Sequence, residues 1–290
     1  MRTIFLFAGL LLGIVSFAQK KKVKDTAATS RPFVLGTIET LHSNILGEDR
    51  TLNIYLPEGY NKTDSARYPV IYLLDGSADE DFIHVVGLVQ FNTFPWIERI
   101  PKTIVVGIAN TKRRYNFTFP TTVEKDRLQW PDQGGSSAFI DFLEKELQPY
   151  VNAHFNTNAS RTIIGQSLGG LLATEILFRK PQLFDKYIIV SPSLWWDNGS
   201  LLKATPVITS ETVLPPTGIY IGMEQAGLTP GETPHAMEVD VHLLVEKLRL
   251  LKNKNLTIAF DYLPEETHAT IGHQAVFNAF RMLYPQKAAQ

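Results

Sequence analysis

"TIIGQSLGGLLA", residues 162–173, leaves a β-branched run, sets three glycines around one serine and continues as an apolar segment. Gly165-Gln166-Ser167-Leu168-Gly169 has the form G-x-S-x-G. Between a strand and a helix this pattern makes a nucleophile elbow: the serine sits on a sharp turn, and the glycines let helix and strand approach without Cβ clashes. As a bare pattern it is weak, because glycine and serine are common. The strand before it, the helix pattern after it and the further Gly170 make it specific. The bland alternative is a glycine-rich turn with a bystander serine. An elbow makes further demands on the chain: an α/β sheet around it, and a base and an acid downstream.

The sheet is readable. "YPVIYLLDGS" (68–77), "KTIVVGIANT" (102–111), "RTIIGQS" (161–167), "KYIIVSPS" (186–193), "TGIYIGME" (217–224) and "LTIAFDYLP" (256–264) are short β-branched runs that end in turn-forming residues. Continuous apolar strands of this kind are buried on both faces, as in a mostly parallel sheet. "LGTIETLHSNILGEDRTLNIYLPEGY" (35–60) alternates on either side of Gly47-Glu48-Asp49 and predicts an antiparallel hairpin that opens the sheet. Helical spacing joins Phe139, Phe142, Leu143, Leu147 and Tyr150 over 138–151, and Met237, Val241, Leu244, Leu248 and Leu251 over 236–251. His235, Glu238, His242, Glu246 and Arg249 form the opposite, solvated face of the second segment. Strands alternating with helices predict a three-layer α/β sandwich in one domain over residues 33–285.

The composition suits that architecture. The chain has 290 residues, 44% hydrophobic and 20% charged, with a net charge of −1 and no cysteine. The balance is that of a globular protein with a sizeable core, and without a clustered basic face nucleic-acid binding is not expected. Arg2, the apolar stretch "IFLFAGLLLGIVSF" and Ser16-Phe17-Ala18 read as a cleavable export signal over residues 1–18, too short for a membrane anchor. Residues 19–32, polar and basic at their start, read as a linker. A periplasmic or secreted protein without lasting membrane insertion is expected, and the lack of thiols suits an oxidising compartment.

In open α/β sheets ligands sit at the carboxyl ends of the strands, so the candidate site residues are those that follow each strand. α/β-hydrolases take serine, acid and histidine in that chain order, with the histidine after the last strand. His268, in "PEETHAT", fits as the base of Ser167, whereas His273 near the start of the last helix suits a capping or surface role. Glu224, directly after "TGIYIGM", fills the slot of the acid; Glu232, Asp240 and Asp197 are the alternatives. Such a carboxylate fixes the histidine tautomer and stabilises the imidazolium. The oxyanion hole requires two backbone N–H donors, expected from Leu168 and from Gly76 or Ser77. Asp79, Glu80 and Asp81 resemble a calcium cluster at first sight, but acids opening a helix complement its dipole, and no metal is expected. Trp195 and Trp196 in "SPSLWWD" are candidates for gripping a substrate, as are Arg113 and Arg114 in "NTKRRYNFTFP" for an anionic group; core packing and a solvated pair are the rival readings. Walker loops, dinucleotide fingerprints and metal-ligand spacings are absent from the sequence.

In this order "LLDGSADEDF", "IVVGIANT", "GQSLGG", "SPSLWWD" and "EETHAT" resemble the serine esterase family of α/β-hydrolases, over roughly residues 35–285. That family includes siderophore esterases, esterase D, feruloyl esterases and mycolyl transferases of the antigen 85 type. The resemblance implies an α/β-hydrolase fold, no cofactor, a small-molecule ester substrate and an acyl-serine formed on Ser167 with His268 as base. It also implies that the acid can be weakly defined, as in the siderophore-esterase branch. The chain departs from the N-T-x-R-x-R-D-x-T-P pattern of relatives: Tyr115 and Asn116 stand where a second Arg and the Asp are expected. The expectation is an exported serine esterase. Its rivals are an acyltransferase and a binding protein on a hydrolase scaffold.

Overall fold

The computed structural model describes residues 29–229 and 235–284. The expected signal segment, most of the linker and Glu232 lie outside the described residues. The chain divides into two units, 1–34 and 35–290. Of the first, residues 29–34 are described and hold no helix or strand; every described element belongs to the second.

The hairpin and the six apolar runs all form strands. β1 (Thr37–Ser43) and β2 (Glu48–Tyr55) pair antiparallel, and β2 pairs antiparallel with β4 (Ile104–Ile108). From there the sheet is parallel through β3 (Tyr68–Leu73), β5 (Thr157–Gln166), β6 (Lys186–Val190), β7 (Thr217–Glu224) and β8 (Leu256–Leu263). The spatial order is β1-β2-β4-β3-β5-β6-β7-β8, so β5 lies near the middle. Every residue of β3 and β4 is buried, which explains their unbroken apolar sequence.

Successive strand residues face opposite layers. Val70 and Tyr72 join one core and Ile71 and Leu73 the other. The second core is closed by α1 (Phe82–Asn92) and α9 (Ile271–Leu283), whose Val86, Val89, Ala275 and Ala279 are buried. Between β4 and β5 the chain forms α2 (Arg113–Phe117), α3 (Glu124–Gln129), α4 (Ser136–Phe142) and α5 (Gln148–His154). α4 and α5, with α6 (Leu168–Arg179) and α8 (Met237–Leu250), build the first core. Short α7 (Trp196–Lys203) follows β6.

The single helix expected over 138–151 is interrupted by a π turn at Leu143–Leu147. Pro149, in the first turn of α5, has no N–H to donate one turn back, and the wider turn just before it absorbs the defect. The stripe over 236–251 is found as expected, with Met237, Val241, Leu244 and Leu248 buried. This is the three-layer α/β-hydrolase sandwich, and its six parallel strands bring Asp75, Asn110, Ser167, Ser191, Glu224 and His268 to one edge.

Candidate active site

Ser167 occupies the turn between β5 and α6 with φ 58° and ψ −118°, a conformation that side chains rarely adopt. Its backbone is pinned on both sides. The Ser167 N–H donates to the Val190 carbonyl at 3.0 Å, and its own carbonyl accepts from Leu171 at 2.9 Å and Ser193 at 3.0 Å. The glycines divide the work of close approach. A Cβ on Gly165 would run into the Gly169 carbonyl, and one on Gly170 would come within 2.9 Å of the Val190 carbonyl oxygen. At Gly169 the nearest atom would be 3.5 Å away, an ordinary contact. Gly165 and Gly170 therefore let α6 sit against β5 and β6, and the strain at Ser167 is held by packing around it.

His268 follows β8 and reaches Glu224 at the end of β7, with Nδ1 2.8 Å from Oε1. Glu224 is buried, at 1% exposure, while the imidazole is half exposed. The second carboxylate oxygen accepts the hydroxyl of Ser191, itself fully buried and held at φ 41°. Burial raises the Glu224 pKa, but the bonds from His268 and Ser191 overrule it, and the carboxyl lies below its ordinary value. Among the described residues the Ser167 hydroxyl pairs with the Ser193 hydroxyl, 3.3 Å away, and no hydrogen bond joins it to the His268 ring. Catalytic hydrogen bonds commonly tighten only once substrate is bound. Gln166 links the serine and histidine loops, its side-chain amide donating to the His268 carbonyl at 2.5 Å.

The oxyanion donors need one correction. Leu168 is the first residue of α6, so its N–H has no partner within the helix. The Gly76 N–H, in contrast, is engaged by the Ile108 carbonyl at 3.1 Å, because the loop lies against β4. It has no free proton to offer. The Ser77 N–H makes no hydrogen bond among the described residues, which leaves Ser77 as the candidate of the pair. The loop is fixed through Asp75, buried at φ 52°. Arg113 grips its two oxygens at 2.6 and 2.9 Å, and the Asn110 amide adds a bond of 2.6 Å.

Arg113 is therefore a clamp on Asp75 and not a free cation for substrate. Arg114 pairs with exposed Asp132 at 2.9 Å and lies over Trp130; so exposed a pair exchanges readily with an incoming anion. Both arginines and Lys112 line an open pocket of about 560 Å³. The tryptophans also separate. Trp196 is buried, at 1% exposure, and donates its indole N–H to the Phe119 carbonyl at 2.8 Å, so it is core. Trp195 is partly exposed and packs on Trp130, with ring centroids 5.8 Å apart.

Two alternative acids are engaged elsewhere. Asp197 accepts Thr121 Oγ1 at 3.0 Å and the Thr122 N–H at 2.6 Å. Asp240 pairs with His235, 3.0 Å away. His235 itself precedes α8 and is partly buried, so it is not part of a solvated helix face. His242 is exposed beside Phe260. Asp79, Glu80 and Asp81 precede the first turn of α1, and Ser77 Oγ bonds the first two at 2.8 Å each. Ser191, Ser193, Gln166 and Asn110 were not anticipated from the sequence. The available signal was positional: "SPS" ends the strand that neighbours the elbow strand.

Residues 43–270 match the family described as "Putative esterase". The chain belongs to this esterase family. The match spans most of the hydrolase fold and runs from the first hairpin to the histidine loop. Ferri-bacillibactin esterase BesA of Bacillus subtilis (strain 168) is 29% identical over 276 residues, 90% of this chain and 95% of that protein. Among solved structures, an IroE-like serine hydrolase from Shewanella oneidensis superposes with a TM-score of 0.77 at 32% identity, covering 86% of this chain and 80% of that one. The BES protein from Bacillus cereus gives 0.75 at 26% identity, covering 90% and 100%. The protein is a carboxylic ester hydrolase. No helix among the described residues of this esterase is long and apolar enough to cross a membrane.

Proposed function

We propose that this esterase is exported and works through an acyl-serine on Ser167. The observation that carries the reading is the hydrogen bond of His268 to buried Glu224 at the same sheet edge as a serine in strained elbow geometry. Glu224 holds Nδ1 of His268 protonated, so that Nε2 can take the Ser167 proton as the hydroxyl attacks the ester carbonyl. Leu168 and Ser77 N–H groups stabilise the oxyanion. His268 then protonates the departing alcohol and activates a water that releases the acid. Arg114 and Lys112, held in solvent-exposed ion pairs with Asp132 and Glu48 at 2.9 and 3.3 Å, can exchange those partners for an anionic part of the substrate. Siderophore esters, named by its relative BesA, form the first substrate panel.

The test is hydrolysis of p-nitrophenyl acetate by the chain from Gln19 onward, compared with Ser167→Ala and His268→Ala. Both variants are expected to lose on the order of 10⁴-fold or more in kcat. Turnover surviving in Ser167→Ala would overturn the mechanism. Ferri-bacillibactin cleavage, followed by chromatography of the products, tests the substrate. The amino-terminal sequence of the exported protein tests the signal, with Gln19 expected as its first residue.

A further inference from the structure

Ser167 and His268 stand on loops that follow β5 and β8, and β6 and β7 lie between those strands in the sheet. The histidine loop, residues 264–270, is mostly exposed, so packing does little to place it. Its own hydrogen bonds fold it back on itself. The Thr270 and Ile271 N–H groups both donate to the Thr267 carbonyl at 3.0 Å, and the Thr267 N–H donates to Thr270 Oγ1 at 2.9 Å. Among the described residues, two hydrogen bonds tie this loop to its neighbours along the sheet edge, and His268 makes both. The ring meets Glu224 through Nδ1 at 2.8 Å, and the backbone carbonyl accepts the Gln166 amide at 2.5 Å.

Two attachments do what one cannot. A ring held only through Nδ1 can swivel about that bond and carry Nε2 away from the serine. Fixing the carbonyl of the same residue removes that freedom. Gln166 supplies the second attachment from the position immediately before Ser167, where its backbone lies in the β5–β6 ladder opposite Val190. His268 is thus held relative to the elbow itself. The carbonyl can only accept, so the NH₂ of Gln166 faces it, and Oε1 lies against the first turn of α9. Gly272 makes the room for it. A Cβ there would come within 2.5 Å of Gln166 Oε1, and beyond its own helix it would meet nothing but that side chain within 4 Å. Alanine is the better helix former, so glycine at this position favours the placement of the amide over the stability of the helix.

Resting on the acyl-serine reading above, we propose that Gln166 is a positioning residue for the reaction: its amide, in the space that Gly272 leaves, sets where the His268 ring stands relative to the Ser167 hydroxyl. Gln166 acts through His268 and moves no proton itself. The effect belongs to the rate of the chemical step, because proton transfer between two side chains depends steeply on their distance and alignment. A misplacement of about 1 Å costs up to about 100-fold. Substrate binding is left nearly as it was.

The experiment measures kcat and KM of the purified protein for p-nitrophenyl acetate in Gln166→Ala, Gly272→Ala and the double variant. Each single substitution is expected to lower kcat by about 5- to 100-fold while KM stays within about threefold. Gly272→Ala should melt at or above the wild-type temperature, so its loss of rate comes without a loss of stability. A merely structural role would not separate the two. With the amide gone, the methyl at 272 has nothing to displace, and the double variant should be no slower than Gln166→Ala. Labelling of Ser167 by a fluorophosphonate, followed by mass spectrometry, should slow in proportion and reads the same geometry without an ester. Should Gln166→Ala misfold by circular dichroism, Gly272→Ala carries the test alone. Turnover in Ser167→Ala would remove the acyl-serine reading itself. Where turnover or labelling depends on Ser167, four results would overturn the assignment to Gln166: a rate less than about fivefold below wild type in a folded single variant, a change confined to KM, a rate in Gly272→Ala that falls only with its melting temperature, or additive losses in the double variant.

Discussion

Glu224→Gln is the substitution that probes the active site most directly. It keeps the shape of a side chain that is 1% exposed, 2.8 Å from His268 Nδ1 and bonded by Ser191 at its other oxygen. What it removes is the charge. The amide can then be placed in two ways. With its carbonyl toward Nδ1 and its NH₂ toward the Ser191 oxygen, the histidine keeps its tautomer and loses only a charge-assisted bond. The difference between a charged and a neutral bond is about 1–2 kcal/mol, or roughly 5- to 30-fold in rate. With the NH₂ toward Nδ1, the proton moves to Nε2 and the ring can no longer accept from Ser167, which costs on the order of 10⁴-fold. The Ser191 hydroxyl can donate or accept, so both placements are populated; at comparable populations the productive one sets the rate, and a loss of about 10- to 60-fold in kcat is expected. Since Glu224 is buried behind the histidine, KM should change little. The assay is kcat and KM for p-nitrophenyl acetate, with circular dichroism to verify the fold. A folded Glu224→Gln within threefold of wild type would show that His268 needs no acid, and the pair would lose its catalytic role.

Ser191→Ala leaves the charged Glu224 oxygen without its donor, an expected cost of about 1–3 kcal/mol, or about 2–4 °C of melting temperature per kcal/mol in a domain of this size. The folded Glu224 pKa lies below its unfolded value, so its contribution to stability is complete above the unfolded pKa, about 4.3, and is lost as pH falls through the folded one. Removing Ser191 raises the folded pKa, so acid unfolding should begin at a higher pH, as read by circular dichroism from pH 7 downward. Gly165→Ala drives a methyl into the Gly169 carbonyl and should destabilise by about 3 kcal/mol or more in urea titrations, whereas Gly169→Ala should be far milder. Arg113→Lys exchanges a two-pronged grip on Asp75 for a single contact and loosens the loop that carries Ser77. Kinetics on p-nitrophenyl acetate should show kcat down by about tenfold or more, with KM nearly unchanged.

Much of this was legible because each strand carries its own signal. A strand buried on both faces has nowhere to place a polar residue, so "VIYLL" and "TIVVGI" announce themselves. Chain order then put Glu224 and His268 at the sheet edge beside Ser167. What the sequence left open was the assignment of individual donors. Gly76 and Ser77 are equivalent on paper, and only the register of the loop against Ile108 shows which N–H is engaged. Trp195 and Trp196 both pack on Trp130, with ring centroids 5.8 Å away, yet they diverge: the buried Trp196 indole reaches the Phe119 carbonyl, and Trp195 stays partly exposed. Arg113 looked like a substrate ligand because its partner, Asp75, is thirty-eight residues away in the chain. Long-range polar pairing leaves no periodic trace.

The acid carries the most consequential of these long-range effects. Family resemblance implies a carboxylate that can be weakly defined, and "TGIYIGME" by itself offers only a position. In the folded chain Glu224 is buried, bonded on one oxygen by His268 and on the other by Ser191. A buried carboxylate with both oxygens engaged cannot swing away without exposing an unpaired charge to a low-dielectric interior. The donor that completes it comes from "SPS", whose other serine touches the Ser167 hydroxyl. Pro192 fixes one backbone torsion between them, so the two hydroxyls are set by one rigid turn at the end of β6. A change in that turn should therefore disturb acid and nucleophile together, and the double variant Ser191→Ala/Ser193→Ala should depart from the sum of its singles in log kcat. Strict additivity would mean that the turn couples nothing and that each serine acts alone.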